Sequence, residues 1–378
     1  MRVLQLLAAF LLLVTTTFAA KSSGFDPKGY PKHSVTCKAV KRNAGEAIVD
    51  INLSYVDINP SAKKTLIMVH GWPSLWSTWV YQIQEFKDDY RLIVPDLRGF
   101  GDSTHPDDVE SSGTTFDLVG DLTCILDDAK VDKAVCIGHD WGSAICHEAG
   151  RSRPDIFEAV VGIAVPYIPS AGAFVSIKYL VLALPKLAYQ LFFSGKTEEA
   201  IAELDKDIKR SIRATLRTGD SPPPASFLTS TDSFLDAWHD VEEIPPVPFF
   251  SPEEEDYFIE EYKKQGFRNT LQFYTDSNRH ATWKFVNQQG NHTIPQPVLA
   301  ILPEHDPVAN WALAMKLLKS ELFLPDLTTE MIQGGHWVHL EYPEEVNSAL
   351  GKWLDKLDAR AGTDAAPQPQ AEERHDEL

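Results

Sequence analysis

The chain has 378 residues, 43% of them hydrophobic and 24% charged, which supplies a large core and departs from the composition of a disordered polymer. With 54 acidic and 35 basic side chains its formal net charge is −19. Phosphate binding draws on clustered Lys and Arg, so this balance excludes nucleic acid as a partner.

The first 20 residues, MRVLQLLAAFLLLVTTTFAA, join Arg2 to an apolar run from Leu4 to Phe18 and end in Ala19 and Ala20. The run is short for a bilayer span and closes on small residues, the pattern of a secretory signal peptide (1–20) whose removal leaves no transmembrane span in the mature chain. HSVTCKAV and AIVDINLSYVDI, between residues 33 and 58, are expected as a pair of strands around a turn at Asn43, Ala44 and Gly45. Apolar runs follow in TLIMVHG (65–71), RLIVPDL (91–97), AVCIGHD (134–140) and AVVGIAVP (159–166). Short apolar runs with helical spacers between them indicate a parallel sheet buried on both faces, so residues 33–166 form the first part of an α/β core.

After Pro166 the pattern becomes helical, and residues 167–285 are expected as a lid. TEEAIAELDKDIKRSIRATLRTG sets Ile201, Leu204, Ile208 and Ile212 at helical spacing. SPEEEDYFIEEYKKQG offers Ser251 as N-cap, Pro252 at the first helical position, Glu254 for a capping box and Gly266 as terminator. The sheet pattern resumes in PVLAILPEHD (297–306) and LTTEMIQGGHW (327–337), giving a second core segment over 286–358. Residues 359–378 read as a polar tail ending in HDEL, the address read by the retrieval receptor of the endoplasmic reticulum. Together with the signal peptide it predicts residence in the lumen of that compartment. There, Asn291-His292-Thr293 is the favoured glycosylation acceptor over Asn52-Leu53-Ser54, which falls in an expected strand. Cys37, Cys124, Cys136 and Cys146 do not form the pattern of a disulfide scaffold; Cys136 reads as a small buried hydrophobe, and pairing is left open.

The chemistry is concentrated in KAVCIGHDWGSAICHE (133–148). An apolar strand ends in Gly138 and a helix can start after Gly142, so Asp140 sits on the strand-to-helix turn of a Gly-x-nucleophile-x-Gly pattern, where a serine normally stands. Chain order then asks for an acid after a later strand and a histidine near the end: Asp306 in LPEHDPV and His336 in QGGHWVHL occupy those slots, with Glu304 and His339 as competitors. A carboxylate is ionised at neutral pH and attacks an electrophilic sp3 carbon without a base, whereas a serine needs one.

HGWP (70–73), PDLRGFGDS (95–103), GHDWG (138–142) and GGHW (334–337) resemble the motifs of soluble-type epoxide hydrolases of the α/β-hydrolase fold, a likeness spanning about residues 35–355. The resemblance implies a mostly parallel central sheet flanked by helices, with an inserted helical lid. It implies Asp140 as nucleophile, His336 oriented by Asp306 as water activator, and the backbone N–H groups of Trp72 and Trp141 as an oxyanion hole. Two lid tyrosines, Tyr189 in AYQLFF and Tyr274 in GFRNTLQFY, would donate to the epoxide oxygen. It implies no cofactor and no metal, and the apolar lid run YLVLALPKLAYQLFF suits a lipophilic epoxide. Ser74 departs from the pattern, since relatives often carry an acid after the proline to order the hydrolytic water. A haloalkane dehalogenase shares the Asp nucleophile but needs no proton donor for its leaving group, so the tyrosines favour the epoxide. A catalytically silent binding protein of the same fold would not need all five side chains.

Overall fold

The computed structural model describes residues 24–43 and 45–364; the N-terminal apolar run, Ala44 and the HDEL terminus lie outside the described residues. Eight strands form one sheet: β1 (Lys32–Lys41), β2 (Ala47–Ile58), β3 (Thr65–Val69), β4 (Arg91–Pro95), β5 (Ala134–His139), β6 (Phe157–Ile163), β7 (Val298–Pro303) and β8 (Leu327–Ile332). Their order is β1-β2-β4-β3-β5-β6-β7-β8. β2 pairs antiparallel with β1 and β4, and every other neighbouring pair is parallel. Every residue of β3, β5 and β7 is buried, because helices cover both faces of the parallel part; continuous apolar runs rather than alternation are the result.

Between the strands lie α1 (Val80–Phe86), α2 (Thr115–Asp128) and α3 (Trp141–Ser152). The chain then leaves the sheet after β6 for six helices: α4 (Ile177–Ala183), α5 (Tyr189–Gly195), α6 (Thr197–Lys206), α7 (Ile208–Thr215), α8 (Pro252–Lys263) and α9 (Asp276–Gln289). It returns through β7, α10 (Trp311–Leu317), β8, α11 (Val338–Glu341) and α12 (Pro343–Asp364). The expected boundary at 285 falls inside α9. α12 runs on through 359–364, the start of the expected polar tail, where Ala359 and Ala361 are good helix formers.

The apolar stripe through Ile201 and Ile212 spans two helices, not one. Asp207 breaks them apart in an extended conformation, and its carboxylate accepts the Arg210 N–H at 3.0 Å, which suits an aspartate better as a cap than as an interior residue. α8 begins on a capping box: Ser251 Oγ accepts the Glu254 N–H at 3.2 Å, and Glu254 accepts the Ser251 N–H at 2.7 Å.

The α8–α9 side of this insertion is fastened to the core. Lys32 of β1 reaches Asp96, Asp102 and Glu261 at 3.0, 3.1 and 2.9 Å, and Lys264 pairs with Asp102 at 2.7 Å. Gln272 and Asn278 donate to the carbonyls of Arg98 and Val109 at 2.9 and 2.8 Å. By contrast, no side-chain hydrogen bond or ion pair joins α4 to the core among the described residues.

Both cysteine pairs are bonded, Cys37 with Cys124 and Cys136 with Cys146. Cys136 is therefore buried but not a free hydrophobe. Its partner lies ten residues on, and α3 folding back over β5 brings the two together, which spacing alone does not disclose. Asn291 is exposed in the loop after α9, whereas Asn52 of β2 accepts the Thr36 hydroxyl at 2.9 Å.

Candidate active site

β5 ends at His139 and α3 begins at Trp141, so a single residue turns the chain. Asp140 makes that turn at φ 56°, ψ −120°, a backbone conformation costing on the order of 1–3 kcal/mol that persists only because the surroundings enforce it. The enforcement is close packing on either side. A Cβ at Gly138 would collide with the backbone of Gly142 and Ser143, and one at Gly142 with the carbonyls of Val69 and His70. Sheet and helix meet with no room for side chains, which projects the Asp140 carboxylate beyond the carboxyl end of the strand.

Asp306 follows β7 and His336 follows β8, and the sheet order sets both loops on the same end as Asp140. His336 Nδ1 lies 2.8 Å from Asp306 Oδ2, and its Nε2 3.4 Å from Asp140 Oδ2. Asp306 is fully enclosed and accepts two further donors, the Trp311 indole N–H at 2.7 Å and the Val308 N–H at 2.8 Å. Burial opposes a charge on His336, but the Asp306 and Asp140 carboxylates overcome it and raise the imidazole to about 10. Burial likewise pushes the Asp140 carboxyl up, but its contact with His336 and the hydrogen bond from the Trp72 N–H together outweigh it, holding the group below the usual carboxylate range. Both shifts favour the charged pair, a carboxylate facing an imidazolium.

The Trp72 N–H donates to Asp140 Oδ1 at 2.8 Å. The Trp141 N–H, expected beside it, makes no hydrogen bond to this carboxylate. Of the competitors, Glu304 is exposed on the β7 loop, while His339 is sealed behind the site, its ring 4.1 Å from that of His139 and 5.1 Å from that of Trp79. Ser74 is also buried; its hydroxyl lies 2.8 Å from that of Thr78.

A cavity of about 310 Å³ opens above Asp140, in the range of small-molecule sites. Leu180, Leu184, Phe227 and Phe234 supply much of its apolar wall, and Asp140, His336, Tyr189 and Tyr274 all face it. The two tyrosine rings stand 5.8 Å apart, and that of Tyr274 lies 5.3 Å from Trp72 and 5.5 Å from Trp141. Burial, reinforced by the Asp140 charge, pushes both phenols up and keeps them protonated. Two side chains escaped the sequence reading. Gln190 Nε2 donates to the Tyr189 hydroxyl at 3.2 Å, and Gln190 Oε1 accepts Arg279 Nη1 at 2.9 Å. Arg279 also lies over the Trp141 ring at 5.9 Å. Only their places beside Tyr189 and just over one helical turn beyond Tyr274 could have flagged them. Among the described residues no group of three or more His, Cys, Asp or Glu side chains could hold a metal ion.

Residues 64–343 match the family described as alpha/beta hydrolase fold. The chain is 30% identical over 327 residues to epoxide hydrolase A of Mycobacterium tuberculosis, covering 83% of this chain and 98% of that protein. It is 29% identical over 317 residues to bifunctional epoxide hydrolase 2 of Rattus norvegicus, covering 81% of this chain and 56% of the rat protein, so it spans about half the length of such bifunctional relatives. The crystal structure of epoxide hydrolase A from Mycobacterium thermoresistibile superposes with a TM-score of 0.69 at 28% identity, over 85% of this chain and 98% of that one. An epoxide hydrolase from Vigna radiata gives a TM-score of 0.71 over 88% and 99% of the two chains; at 21% identity it speaks for the fold alone. With the family match running from β3 through the helical insertion to β8, and a 30% identical relative spanned almost end to end, this chain belongs to the epoxide hydrolase family of the α/β-hydrolase fold.

Proposed function

We propose that the protein hydrolyses a lipophilic epoxide to a vicinal diol through an ester on Asp140. The observation that carries this reading is a carboxylate at the strand-to-helix turn, 3.4 Å from an imidazole and sharing an apolar cavity with two phenols. Asp140 Oδ2, the oxygen not held by Trp72, attacks a ring carbon; the C–O bond breaks, and the departing oxygen takes a proton from Tyr189 or Tyr274. Esterification removes one of the two carboxylates that keep His336 charged. Its pKa then falls, and the proton it sheds balances the one the phenol gave. The neutral imidazole, held by Asp306, next takes a proton from water as the water attacks the ester carbonyl. The Trp72 N–H holds the oxyanion, with the Trp141 N–H as second donor. Collapse breaks the ester bond to the diol oxygen, which takes the proton left on the added hydroxyl; the diol departs and the Asp140 carboxylate is restored beside imidazolium, the state in which the cycle began.

His336→Ala separates the two steps. Attack by Asp140 survives and hydrolysis does not, so intact-protein mass spectrometry should find an adduct equal in mass to the whole epoxide, mapping to Asp140 and missing in Asp140→Ala. A dehalogenase would lose hydrogen halide in the same step and give a lighter adduct. Normal diol formation by a folded His336→Ala protein with no ester would overturn the covalent route. The proposal includes residence in the endoplasmic reticulum lumen, supported by the leading apolar run and the terminal HDEL. Deleting His375 to Leu378 should send the protein to the medium; unchanged retention would end that part. Glycosylation at the exposed Asn291 belongs to the same reading, and Asn291→Gln should abolish a glycosidase-sensitive mass shift.

A further inference from the structure

Of the ten large hydrophobic side chains exposed among the described residues, all but Ile48 and Met331 belong to two segments, 168–182 and 313–322. These segments carry α4 and α10, the helices that flank the cavity. α4 contributes Leu180, and its C-cap Leu184, to the cavity wall, and α10 contributes Trp311 and Ala314. Leu184 packs against the cluster that holds Trp311 and Met315, so the two helices adjoin. On their outer faces Tyr179 is 66% and Leu182 81% exposed, with Leu317 at 73% and Leu322, just beyond α10, also at 73%. Ile168 and Leu318 both line the cavity and are exposed, as are Gly219, Pro222, His305 and Pro307, so the cavity meets the surface beside both helices. An apolar collar around an apolar cavity is not ordinary monomer surface.

The charge on this collar also differs from the rest of the molecule. Residues 159–197 hold Lys178, Lys186 and Lys196 and no acid, and residues 307–320 hold Lys316 and Lys319 and no acid, in a chain of net charge −19. Lys178, Lys316 and Lys319 are exposed and form no ion pair among the described residues. Lys186 is occupied by the Phe227 carbonyl at 2.9 Å, and Lys196 by Asp232 at 2.7 Å. Acids adjoin other parts of the cavity wall along the chain, at Asp220, Asp232, Asp276, Glu304 and Asp306, and Glu321 closes the second segment.

We propose that the α4–α10 collar docks on a phospholipid bilayer and opens the cavity toward it, so that a lipophilic epoxide enters from the membrane rather than from water. The proposal rests on the reading of the substrate as lipophilic. Apolar side chains on the outer faces enter the interfacial region, and the unpaired lysines meet phosphate groups on a protein whose net charge would otherwise repel an anionic surface. No helix of the described residues is long and apolar enough to cross a membrane, and the contact proposed for the collar is a peripheral one.

The test uses the full-length protein and the variant Leu182→Gln/Leu317→Gln/Leu322→Gln, none of whose three positions lines the cavity. Vesicles of phosphatidylcholine alone, and of phosphatidylcholine with phosphatidylserine, are sedimented with each protein. The parent should sediment with vesicles, more strongly when phosphatidylserine is present, and the variant about tenfold or more weakly. Turnover of a small water-soluble epoxide without vesicles should be the same in both proteins, while turnover of a long-chain epoxide dissolved in vesicles should fall in the variant alone. A parent that sediments with neither vesicle, or a folded variant that sediments equally well, would overturn the docking face. So would a lipid-free parent dimer that the variant lacks, since the collar would then cover a second copy of the chain. Vesicle binding that the variant loses, with no epoxide turned over by either protein, supports docking and overturns the enzymatic reading instead.

Discussion

A phenol that donates to a developing alkoxide must be aimed as well as protonated, and in the proposed mechanism Gln190 would do the aiming for Tyr189. Because Gln190 Nε2 already donates to the Tyr189 oxygen, the phenol's own proton is free to turn toward the cavity, and Arg279 fixes the amide that makes this so. Gln190→Leu keeps the size of the side chain and removes that bond; esterification in single-turnover kinetics should slow about tenfold, while ester hydrolysis in the same experiment stays unchanged. Tyr189→Phe/Tyr274→Phe should nearly abolish ester formation, and an undiminished rate in that protein would remove the phenols from the mechanism. At this scale the sequence was legible where chemistry imposes a motif. Asp140 had to lie between two glycines, and Asp306 and His336 had to follow strands. Gln190 and Arg279 answer to no local rule: their roles arise from α5 and α9 meeting across the cavity, a tertiary fact.

Among the elements, α8 shows how much a short local pattern fixes. Ser251, Pro252 and Glu254 specify its start without reference to the rest of the chain, and the structure begins the helix there. Ser251→Ala should therefore lower stability by about 1 kcal/mol, measured by urea unfolding, with epoxide turnover unaffected at temperatures where the protein remains folded. An unchanged midpoint would mean the lid unfolds without contributing to the measured transition. The strands were legible for a related reason, since burial on both faces demands unbroken apolar runs. The break at Asp207 and the pairing of Cys136 with Cys146 were not, because each depends on what the neighbouring element packs against.

For the molecule as a whole, the buried histidines set a limit on the acid side. His70, His139 and His147 are lowered by burial to about 4, and His105 to about 3. Below the ordinary value of 6.5 the unfolded chain binds protons that the folded chain refuses. Their effect on stability is thus absent above that pH, and stability is lost as pH falls toward 4, by up to about 1.4 kcal/mol per pH unit for each histidine. His336 has the opposite sign: raised to about 10, it stabilises fully below 6.5 and loses that contribution as pH rises through 10. Stability should peak near neutrality, and the urea midpoint should fall steeply between about pH 6.5 and about pH 5; a flat profile there would mean these rings are not held neutral. The uneven fastening of the helical insertion extends to motion. With α8 and α9 tied down through Lys32, Gln272 and Asn278, and no side-chain hydrogen bond or ion pair from α4 to the core among the described residues, α4 is the side expected to open first. Amides of α4 should exchange with deuterium well before those of α8, and diol should depart past α4 while the tethered half stays at rest.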